Sequence, residues 1–482
     1  MHPLLDRFEQ TVANRPERVA ASDQSLTLDY RSFRAVAGGL AQQIQSRARG
    51  PNVGVLAPTS TACAAAIFAC WYAGKAVVPL NFLLAPEELA RIIRDAELDL
   101  ILTIERFAAP LVAAGVNVLL LDGTSLVPGA ATAPTALPER LATLLYTSGT
   151  SAEPKGVRLT FDNLTQNALA AIEHARIDPS QVFLSVLPQF HSFGFTAMTV
   201  LPLTLGATVH YLPRYSPVAV VDTIREKQVS IFMAVASMYG PIAALKSAPA
   251  DALRSIKIAV SGGEPLSMRV ADAIEQRFGV TLLEGYGLTE TSPVVSMNMP
   301  WAHKRGSVGK PLPGVRVWAL DDQGREAAAG VDGELVVQGH CVMSGYHNKP
   351  DATAAAIRDG VFRTGDIGHV DADGFVFITG RKKEMMIIGG ENVYPREIET
   401  VLLDHPAVAD AAVIGVRDDV RGELPYAFVI LREGAATDAT ALREFCRTRL
   451  AGYKVPREVE LASDLPRSPT GKILKRALKP RP

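Results

Sequence analysis

The stretch YTSGTSAEPKGV, residues 146–157, follows the apolar pair Leu144 and Leu145 in this 482-residue chain. Its small residues allow backbone N–H groups to approach a phosphate, its hydroxyls add donors, and Lys155 supplies positive charge. The spacing differs from GxxxxGK[ST], which excludes a conventional P-loop. A loop of this composition is by itself more often a solvated turn, so the surrounding sequence has to decide its function.

Short apolar runs alternate with helical patterns on both sides of this loop. Pro86 and an apolar stripe with helical spacing predict one helix, and residues 266–278 predict another. The apolar runs predict strands at residues 53–57, 77–80, 100–104, 118–121, 182–187, 208–212, 231–235, 256–260 and 281–284. Such alternation is typical of α/β layers around largely parallel sheets.

The pattern changes in the last third of the chain. Residues 315–380 alternate apolar and polar positions between turn signals, which predicts a β-rich subdomain. After it, residues 396–403 and 441–450 look helical, while residues 411–416 and 426–431 look like strands. We therefore predict an α/β fold with a large N-terminal domain (residues 1–380, its β-rich subdomain at about 305–380), a hinge (381–383) and a small, mobile α+β C-terminal domain (384–482). Residues 126–138, rich in Pro, Ala and Thr, are predicted to be a surface loop.

Composition excludes several classes of partner. The chain carries 49 Lys and Arg against 50 Asp and Glu, so no bulk attraction to nucleic acid or to an anionic membrane is expected. The basic tail (Lys475, Arg476, Lys479 and Arg481) is predicted to be a solvated surface. The longest apolar run, residues 63–74, is well short of the ~20 residues of a transmembrane helix. Four cysteines without CxxC spacing and an N-terminus unlike a signal peptide predict a cytoplasmic location.

Seven motifs occur along the chain in a recognisable order. They are TSGT…PKG (residues 147–156), LPQFHSFG (187–194), SGGEPL (261–266), EGYGLTETSP (284–293), RTGDIG (363–368), GRKKEMMIIGGENVYPREIE (380–399) and PRSPTGKIL (466–474). Together they resemble the adenylate-forming superfamily, which includes acyl-CoA synthetases, nonribosomal adenylation domains and firefly-type luciferases. The resemblance covers essentially the whole chain and is strongest to AMP-dependent acyl-CoA synthetases of the fatty-acyl type.

Some motif residues also have a chemical rationale of their own. Tyr286, between two glycines, offers an aromatic face to a purine. Glu290 near a triphosphate would be repulsive without a bridging divalent cation, which implies Mg²⁺. Asp366 matches two ribose hydroxyls, and Arg381 can donate to ribose or phosphate oxygens. Each also has a plain structural alternative, such as a buried core tyrosine, a turn-capping aspartate or a surface arginine.

The resemblance implies roles for further residues. It implies that Lys472 is the catalytic lysine, although a lysine in a Pro/Thr/Gly turn is by itself more often solvated, and that Thr289, Glu290 and His191 belong to the catalytic set. It assigns Mg²⁺ to Glu290 and Thr147, the hinge to Lys383, and the tunnel for the thiol of CoA to Gly389, Gly390 and Glu391. The implied ATP-binding residues are Thr147, Ser148, Gly149, Thr150, Ser151, Lys155, Gly262, Gly263, Glu264, Gly285, Tyr286, Gly287, Leu288, Thr289, Asp366 and Arg381.

The acid substrate is predicted from the residues after Gln189. Amino-acid-activating relatives place an aspartate after the phenylalanine here, whereas this chain has His191 and Ser192 after Phe190. Because a buried ammonium would lack a partner, an acid without an α-amino group is favoured. The candidate pocket residues suit an alkyl or aryl tail; they are Phe190, His191, Phe195, Val235, Met238 and Gly263. Similarity to bacterial fatty-acyl activating enzymes favours a medium- or long-chain fatty acid over an aryl acid.

We therefore predict an ATP-dependent acid:thiol ligase that adenylates a small-molecule carboxylic acid, releases pyrophosphate, and transfers the acyl group to CoA, leaving AMP. CoA and acyl-carrier protein end in the same pantetheine arm, so an acyl–carrier protein ligase stays open, as does an aryl acid–CoA ligase. A luciferase-like monooxygenase and a non-catalytic nucleotide-binding protein are disfavoured. The presence of Lys155, Glu290, Asp366, Arg381 and Lys472 counts against the last.

Overall fold

The computed structural model describes residues 2–130, 141–147, 154–389, 391–418, 421–467 and 473–480. A large N-terminal domain of mixed α/β layers carries a small C-terminal domain, which confirms the predicted fold class. Residues 126–130 of the predicted surface loop have no regular secondary structure, and residues 131–138 lie outside the described part of the chain. Of the helices that the structure describes, none combines the length and apolar character needed to span a membrane.

A nine-stranded sheet forms the centre of the large domain, in the order β15-β14-β13-β12-β11-β9-β10-β1-β2. Strands β9 to β13 run parallel, as their apolar runs predicted. The predicted strand at 256–260 begins two residues later, because the Ile256 N–H donates to the Leu253 carbonyl in a turn. The strands are β1 (Val19–Ser22), β2 (Thr27–Asp29), β9 (Val182–Ser185), β10 (Thr208–Tyr211), β11 (Ile231–Ala234), β12 (Ile258–Gly262), β13 (Leu282–Gly287), β14 (Val294–Met297) and β15 (Lys310–Pro311).

A seven-stranded sheet packs beside it, in the order β18-β8-β7-β4-β3-β5-β6. Its strands are β3 (Asn52–Leu56), β4 (Ala76–Pro79), β5 (Leu100–Thr103), β6 (Asn117–Leu120), β7 (Leu141–Thr147), β8 (Lys155–Thr160) and β18 (Gly345–Tyr346). Strand β18 comes from far along the chain and pairs antiparallel with β8, so that Tyr346 lies opposite Val157. The sheet therefore brings a late segment of the chain beside the phosphate-loop lysine.

Helices cover the sheets of the large domain. They are α1 (Pro3–Asn14), α2 (Tyr30–Arg47), α3 (Thr61–Tyr72), α4 (Pro86–Asp95), α5 (Glu105–Ala113), α6 (Phe161–Ala175), α7 (Leu201–Leu205), α8 (Pro217–Lys227), α9 (Ala236–Ala244), α10 (Met268–Phe278) and α11 (Pro350–Ala356). A π-helix, Phe193–Val200, leads into α7 and was not predicted. Gly194 permits it, because a Cβ there would lie 2.1 Å from the Pro188 carbonyl oxygen.

The predicted β-rich subdomain is confirmed as an antiparallel five-stranded sheet in the order β16-β17-β20-β19, with β21 on β20. Its strands are β16 (Val315–Leu320), β17 (Gly333–Gly339), β19 (Ile357–Arg358), β20 (Val361–Val370) and β21 (Val376–Arg381). A 3₁₀ helix, Lys382–Glu384, follows β21 directly.

The small domain has its own hydrophobic core, which includes Ile398, Val413 and Leu442. Its elements are β22 (Met386–Ile388), β23 (Glu391–Val393), α12 (Pro395–Leu403), β24 (Val408–Asp418), β25 (Gly422–Leu431), α13 (Ala439–Arg447) and β26 (Glu458–Leu461). Helix α13 begins two residues before the predicted start, because the Asp438 side chain caps it by accepting from the Ala441 N–H.

Candidate active site

A cavity of about 1470 Å³ lies between the two domains. The carboxyl ends of β12 and β13 open into it, which is where open parallel sheets bind ligands. Ile473 and Leu474 line it from the small domain. The predicted ATP-binding and catalytic residues that line it are Thr147, Lys155, His191, Gly262, Gly263, Gly285, Tyr286, Gly287, Leu288, Thr289, Glu290 and Arg381.

Asp366, Tyr286 and Arg381 form a connected cluster in which Tyr286 and Arg381 line the cavity, whereas Asp366 is buried and does not line it. The Tyr286 hydroxyl donates to Asp366 Oδ2 at 2.6 Å, and Arg381 Nε lies 2.7 Å from Asp366 Oδ1. The β20–β21 register places Asp366 opposite Arg381. Burial, and then the Asp366 charge, raise the pKa of Tyr286, so its hydroxyl stays protonated and donates. Each carboxylate oxygen of Asp366 has a lone pair left to accept a second hydrogen bond.

Glu290 and Lys155 meet at a second cluster, around Tyr346. Glu290 lies in the 3₁₀ helix Thr289–Thr291, and its Oε1 accepts from the Tyr346 hydroxyl at 2.9 Å. Lys155 Nζ lies 5.0 Å from the centroid of the Tyr346 ring. Sequence reasoning missed Tyr346, because no motif that we used includes it and only the pairing of β18 with β8 brings it here.

The predicted acid pocket is only partly assembled at this cavity. Phe190, His191 and Gly263 line it, whereas Phe195, Val235 and Met238 do not. Phe195 packs into the core, edge-on to Trp71. Glu264 also lies off the cavity lining, where its Oε2 accepts from the Ser237 N–H at 3.1 Å.

An apolar extension of the cavity runs between α6 and the nine-stranded sheet. We call this extension the apolar channel; it is lined by Ala171, Ala175, Ile177, Ala197, Leu201, Met233, Val260 and Met297. The Met297 carbonyl is satisfied by His174 Nε2 at 2.8 Å. Small side chains from α6 and the π-helix leave this space open, and the sequence offered no motif that identified them.

The predicted hinge residue Lys383 lines the cavity between two ion pairs. Before it, Lys382 Nζ lies 3.0 Å from Glu334 of the large domain. After it, Glu384 pairs with Lys475 of the small domain at 2.6 Å. The prediction that the basic tail is a solvated surface is therefore wrong at Lys475. Burial acts to lower the pKa of Lys475, but Glu399 and Glu384 together hold that pKa above its usual value.

Several predicted site residues remain to be placed. Gly389 and Glu391 lie in the small domain but do not line the cavity. Lys472, Gly390, Ser148, Gly149, Thr150 and Ser151 lie outside the described residues.

Comparison with known proteins gives the class of enzyme. Residues 8–347 match the family model of the AMP-binding enzyme, and residues 397–472 match that of the AMP-binding enzyme C-terminal domain. A long-chain-fatty-acid–CoA ligase of Bacillus subtilis is 33% identical and covers 99% of this chain and 95% of its own. A feruloyl-CoA synthase of an Amycolatopsis species is 36% identical over 88% of each chain.

Solved structures agree with this result. ATP-bound MatB from Rhodopseudomonas palustris has a TM-score of 0.91 at 30% identity, covering 99% of this chain and 98% of its own. Apo MatB, with the same identity and coverage, has a TM-score of 0.81. The chain belongs to the AMP-binding enzyme family. Within that family it is an acid–thiol ligase.

Proposed function

We propose that this enzyme activates a carboxylic acid with ATP, forming an acyl adenylate and pyrophosphate, and then transfers the acyl group to CoA. The observation that carries the proposal is the order of groups around one cavity. Tyr286, which is hydrogen-bonded to the buried Asp366, and Arg381 line the cavity, and so do Lys155 and Glu290 and the residues of the apolar channel. The cavity therefore offers an aromatic ring to a purine, charged groups to phosphates and their cation, and an apolar lining to the acid.

Mg²⁺ fits this cavity as a partner of ATP rather than as a fixed metal centre. Among the described residues there is no group of three or more His, Cys, Asp or Glu side chains that could hold a metal alone. Magnesium in nucleotide enzymes is bound by one or two side chains together with phosphate oxygens. Glu290 would supply the carboxylate and Thr147 a hydroxyl. When bound, the ion neutralises charge on the departing pyrophosphate.

Lys472 is the proposed catalytic lysine. Its neighbour Ile473 lines the cavity, which supports a role beside the reacting atoms. A lysine there donates to the acid carboxylate and the α-phosphate, where negative charge builds during adenylate formation. Lys155 would bind the outer phosphates from the opposite domain.

The lining of the apolar channel supports the proposal that the substrate is a medium- or long-chain fatty acid. Its alanine, leucine, isoleucine, valine and methionine side chains offer contact area to an alkyl chain and no charged partner for a second carboxylate. An aryl acid is the second candidate, because Phe190 and Phe193 line the channel entrance and the feruloyl-CoA synthase is 36% identical to this chain.

The arrangement of the two domains supports an assignment to the adenylate-forming state. Ile473 lines the cavity, whereas Gly389 and Glu391 do not, and ATP-bound MatB matches better than the apo form. We propose that rotation about residues 381–383 then brings Gly389, Gly390 and Glu391 to the cavity for the thiol. CoA is favoured over carrier protein because the relatives are named CoA ligases. Free cysteines support a reducing, cytoplasmic location.

The test is acid-dependent ATP–pyrophosphate exchange with alkyl, aryl and amino acids, followed by addition of CoA or carrier protein. We expect exchange with alkyl acids and thioester formation with CoA. Exchange restricted to amino acids, or the absence of exchange with any acid, would overturn the proposal. Light emission or oxygen uptake after adenylation would instead favour the monooxygenase alternative.

A further inference from the structure

Backbone contacts hold Tyr346 in place, independently of its side-chain contacts with the predicted site residues. Its N–H donates to Thr353 Oγ1 at 2.9 Å, and the next N–H, that of His347, donates to the Gly156 carbonyl at 2.7 Å. Gly345, with φ at 135°, lets Thr353 approach, because a Cβ at that position would lie 2.8 Å from Thr353 Cγ2. These contacts therefore fix the position of the backbone from which the Tyr346 ring extends.

The fixed ring contacts two groups that the proposed function assigns to ATP and its cation. The hydroxyl binds one oxygen of Glu290, Oε1, at 2.9 Å, which orients the carboxylate and leaves Oε2 for another ligand. A second bond ties the segments together, because the Met343 N–H donates to the Glu290 carbonyl at 2.9 Å. The Lys155 ammonium lies 5.0 Å from the ring centroid, within the range of a cation–π contact.

We propose that Tyr346 is a positioning residue for adenylation, orienting Glu290 for the divalent cation through its hydroxyl and Lys155 for the phosphates through its ring. This inference rests on the proposed function, since that assigns the two partners. The two contacts use different parts of the side chain, so they can be separated. Tyr346→Phe removes only the hydroxyl, and Tyr346→Leu removes both contacts.

Tyr426→Phe is the matched control. The Tyr426 hydroxyl donates to Glu460 Oε2 at 3.0 Å in the small domain, which is the same chemistry at a residue that does not line the cavity. Two measurements are made on each variant. Calorimetry without acid gives the affinity for ATP with and without Mg²⁺, and exchange assays give the Mg²⁺ concentration for half-maximal rate.

For Tyr346→Phe we expect the half-maximal Mg²⁺ concentration to rise roughly fivefold or more, because a hydrogen bond to a charged group is lost. The rate at saturating Mg²⁺ and the affinity for ATP alone should stay near wild type. Tyr346→Leu should in addition weaken Mg²⁺-free ATP binding by about threefold, as the cation–π contact is lost. In a Glu290→Gln background, Tyr346→Phe should have no further effect on the Mg²⁺ dependence of ATP binding, as measured by calorimetry.

The role is overturned if Tyr346→Phe matches Tyr426→Phe in both measurements. It is also overturned if Tyr346→Phe fails to fold while Tyr426→Phe folds, since Tyr346 would then be structural. A wild-type protein without acid-dependent exchange would refute the proposed function. The Mg²⁺ dependence of ATP binding would still decide the role of Tyr346.

Discussion

Tyr286 donates a 2.6 Å hydrogen bond to Asp366, although 80 residues separate them in the chain. Tyr286 ends a strand of the nine-stranded sheet, and Asp366 lies in the β-rich subdomain, where it also pairs with Arg381. This contact joins the two parts of the large domain at the wall where we place the nucleotide.

Asp366→Ala is expected to destabilise the protein and weaken ATP binding together. The Tyr286 hydroxyl, in a buried residue, would lose its partner, which costs about 1–3 kcal/mol in free energy of unfolding. Denaturant unfolding and the KM for ATP measure the two effects. Tyr286→Phe is the control, because Asp366 keeps its Arg381 partner. If Asp366→Ala left the KM for ATP unchanged, the ribose assignment would be wrong.

Glu290→Ala and Lys472→Ala should each abolish adenylate formation. Glu290 would hold the cation that neutralises pyrophosphate, and Lys472 would stabilise charge at the reacting centre, a contribution of about 3–4 kcal/mol or roughly 100- to 1000-fold in rate. Pyrophosphate exchange measures the loss. Preformed acyl adenylate with CoA separates this defect from misfolding, since both variants should still make thioester. Adenylation by Lys472→Ala at the wild-type rate would refute the catalytic lysine.

Lys383→Pro should retain pyrophosphate exchange and lose thioester synthesis. Glu334 holds Lys382 on the large domain and Lys475 holds Glu384 on the small one, so the φ/ψ change of a domain rotation would concentrate at Lys383. Proline locks φ near −65°. The 3₁₀ helix tolerates this value, whereas a rotated state requires φ to change.

Single-turnover measurement of the two half-reactions tests this hinge. Lys383→Ala is the control, because it changes the same side chain and leaves φ free. Equal losses in both half-reactions of Lys383→Pro, or unimpaired thioester formation, would refute a hinge at Lys383.

Ala175→Leu should shorten the acyl chain that the enzyme accepts. Ala175 lies at the end of α6 and lines the apolar channel. The added side chain would fill space that a long alkyl chain needs, lowering kcat/KM for long-chain acids by roughly tenfold or more while sparing short ones. Exchange assays over a series of chain lengths measure the ratio, and short acids are the internal control. An unchanged ratio would place the acyl chain elsewhere.

Glu284 should make stability depend on pH. Burial raises its pKa to about 7, although the charge of Arg396 in the small domain acts in the opposite direction. Because the folded-state pKa exceeds the unfolded value, the folded state keeps a proton that the unfolded state has lost between pH 4.5 and 7. Stability from this group is therefore present below about pH 4.5 and falls as pH rises to about 7, by roughly 3 kcal/mol.

Glu284→Gln removes that titration while keeping the shape of the side chain. Relative to wild type, the variant should gain stability between pH 5 and 8, as measured by the free energy of unfolding in denaturant. Glu326→Gln, at an exposed surface ion pair, is the control and should show little change. Parallel pH profiles of wild type and Glu284→Gln would contradict the prediction.

The sequence by itself determined strands β3–β6, β9–β13, β24 and β25, helices α4, α10, α12 and α13, the β-rich subdomain and the family. Other elements, helices α1, α2 and α6 among them, were not predicted. Apolar periodicity follows from which faces are buried, and motif spacing is a local property, so both can be read without a fold. Element ends shifted where a local hydrogen bond decided them, as at Asp438 and Ile256.

Only the tertiary structure decided which residues meet. Strand pairing and domain closure bring distant segments together, and no local spacing encodes this. The results are the Tyr346–Glu290 bond, the Lys475–Glu384 pair and the apolar channel. Phe195 illustrates the same limit: it follows the LPQFHSFG motif and was predicted to line the acid pocket, yet it lies in the π-helix and packs against Trp71 in the core. A residue's type predicts what it can bind, and the fold decides what it faces.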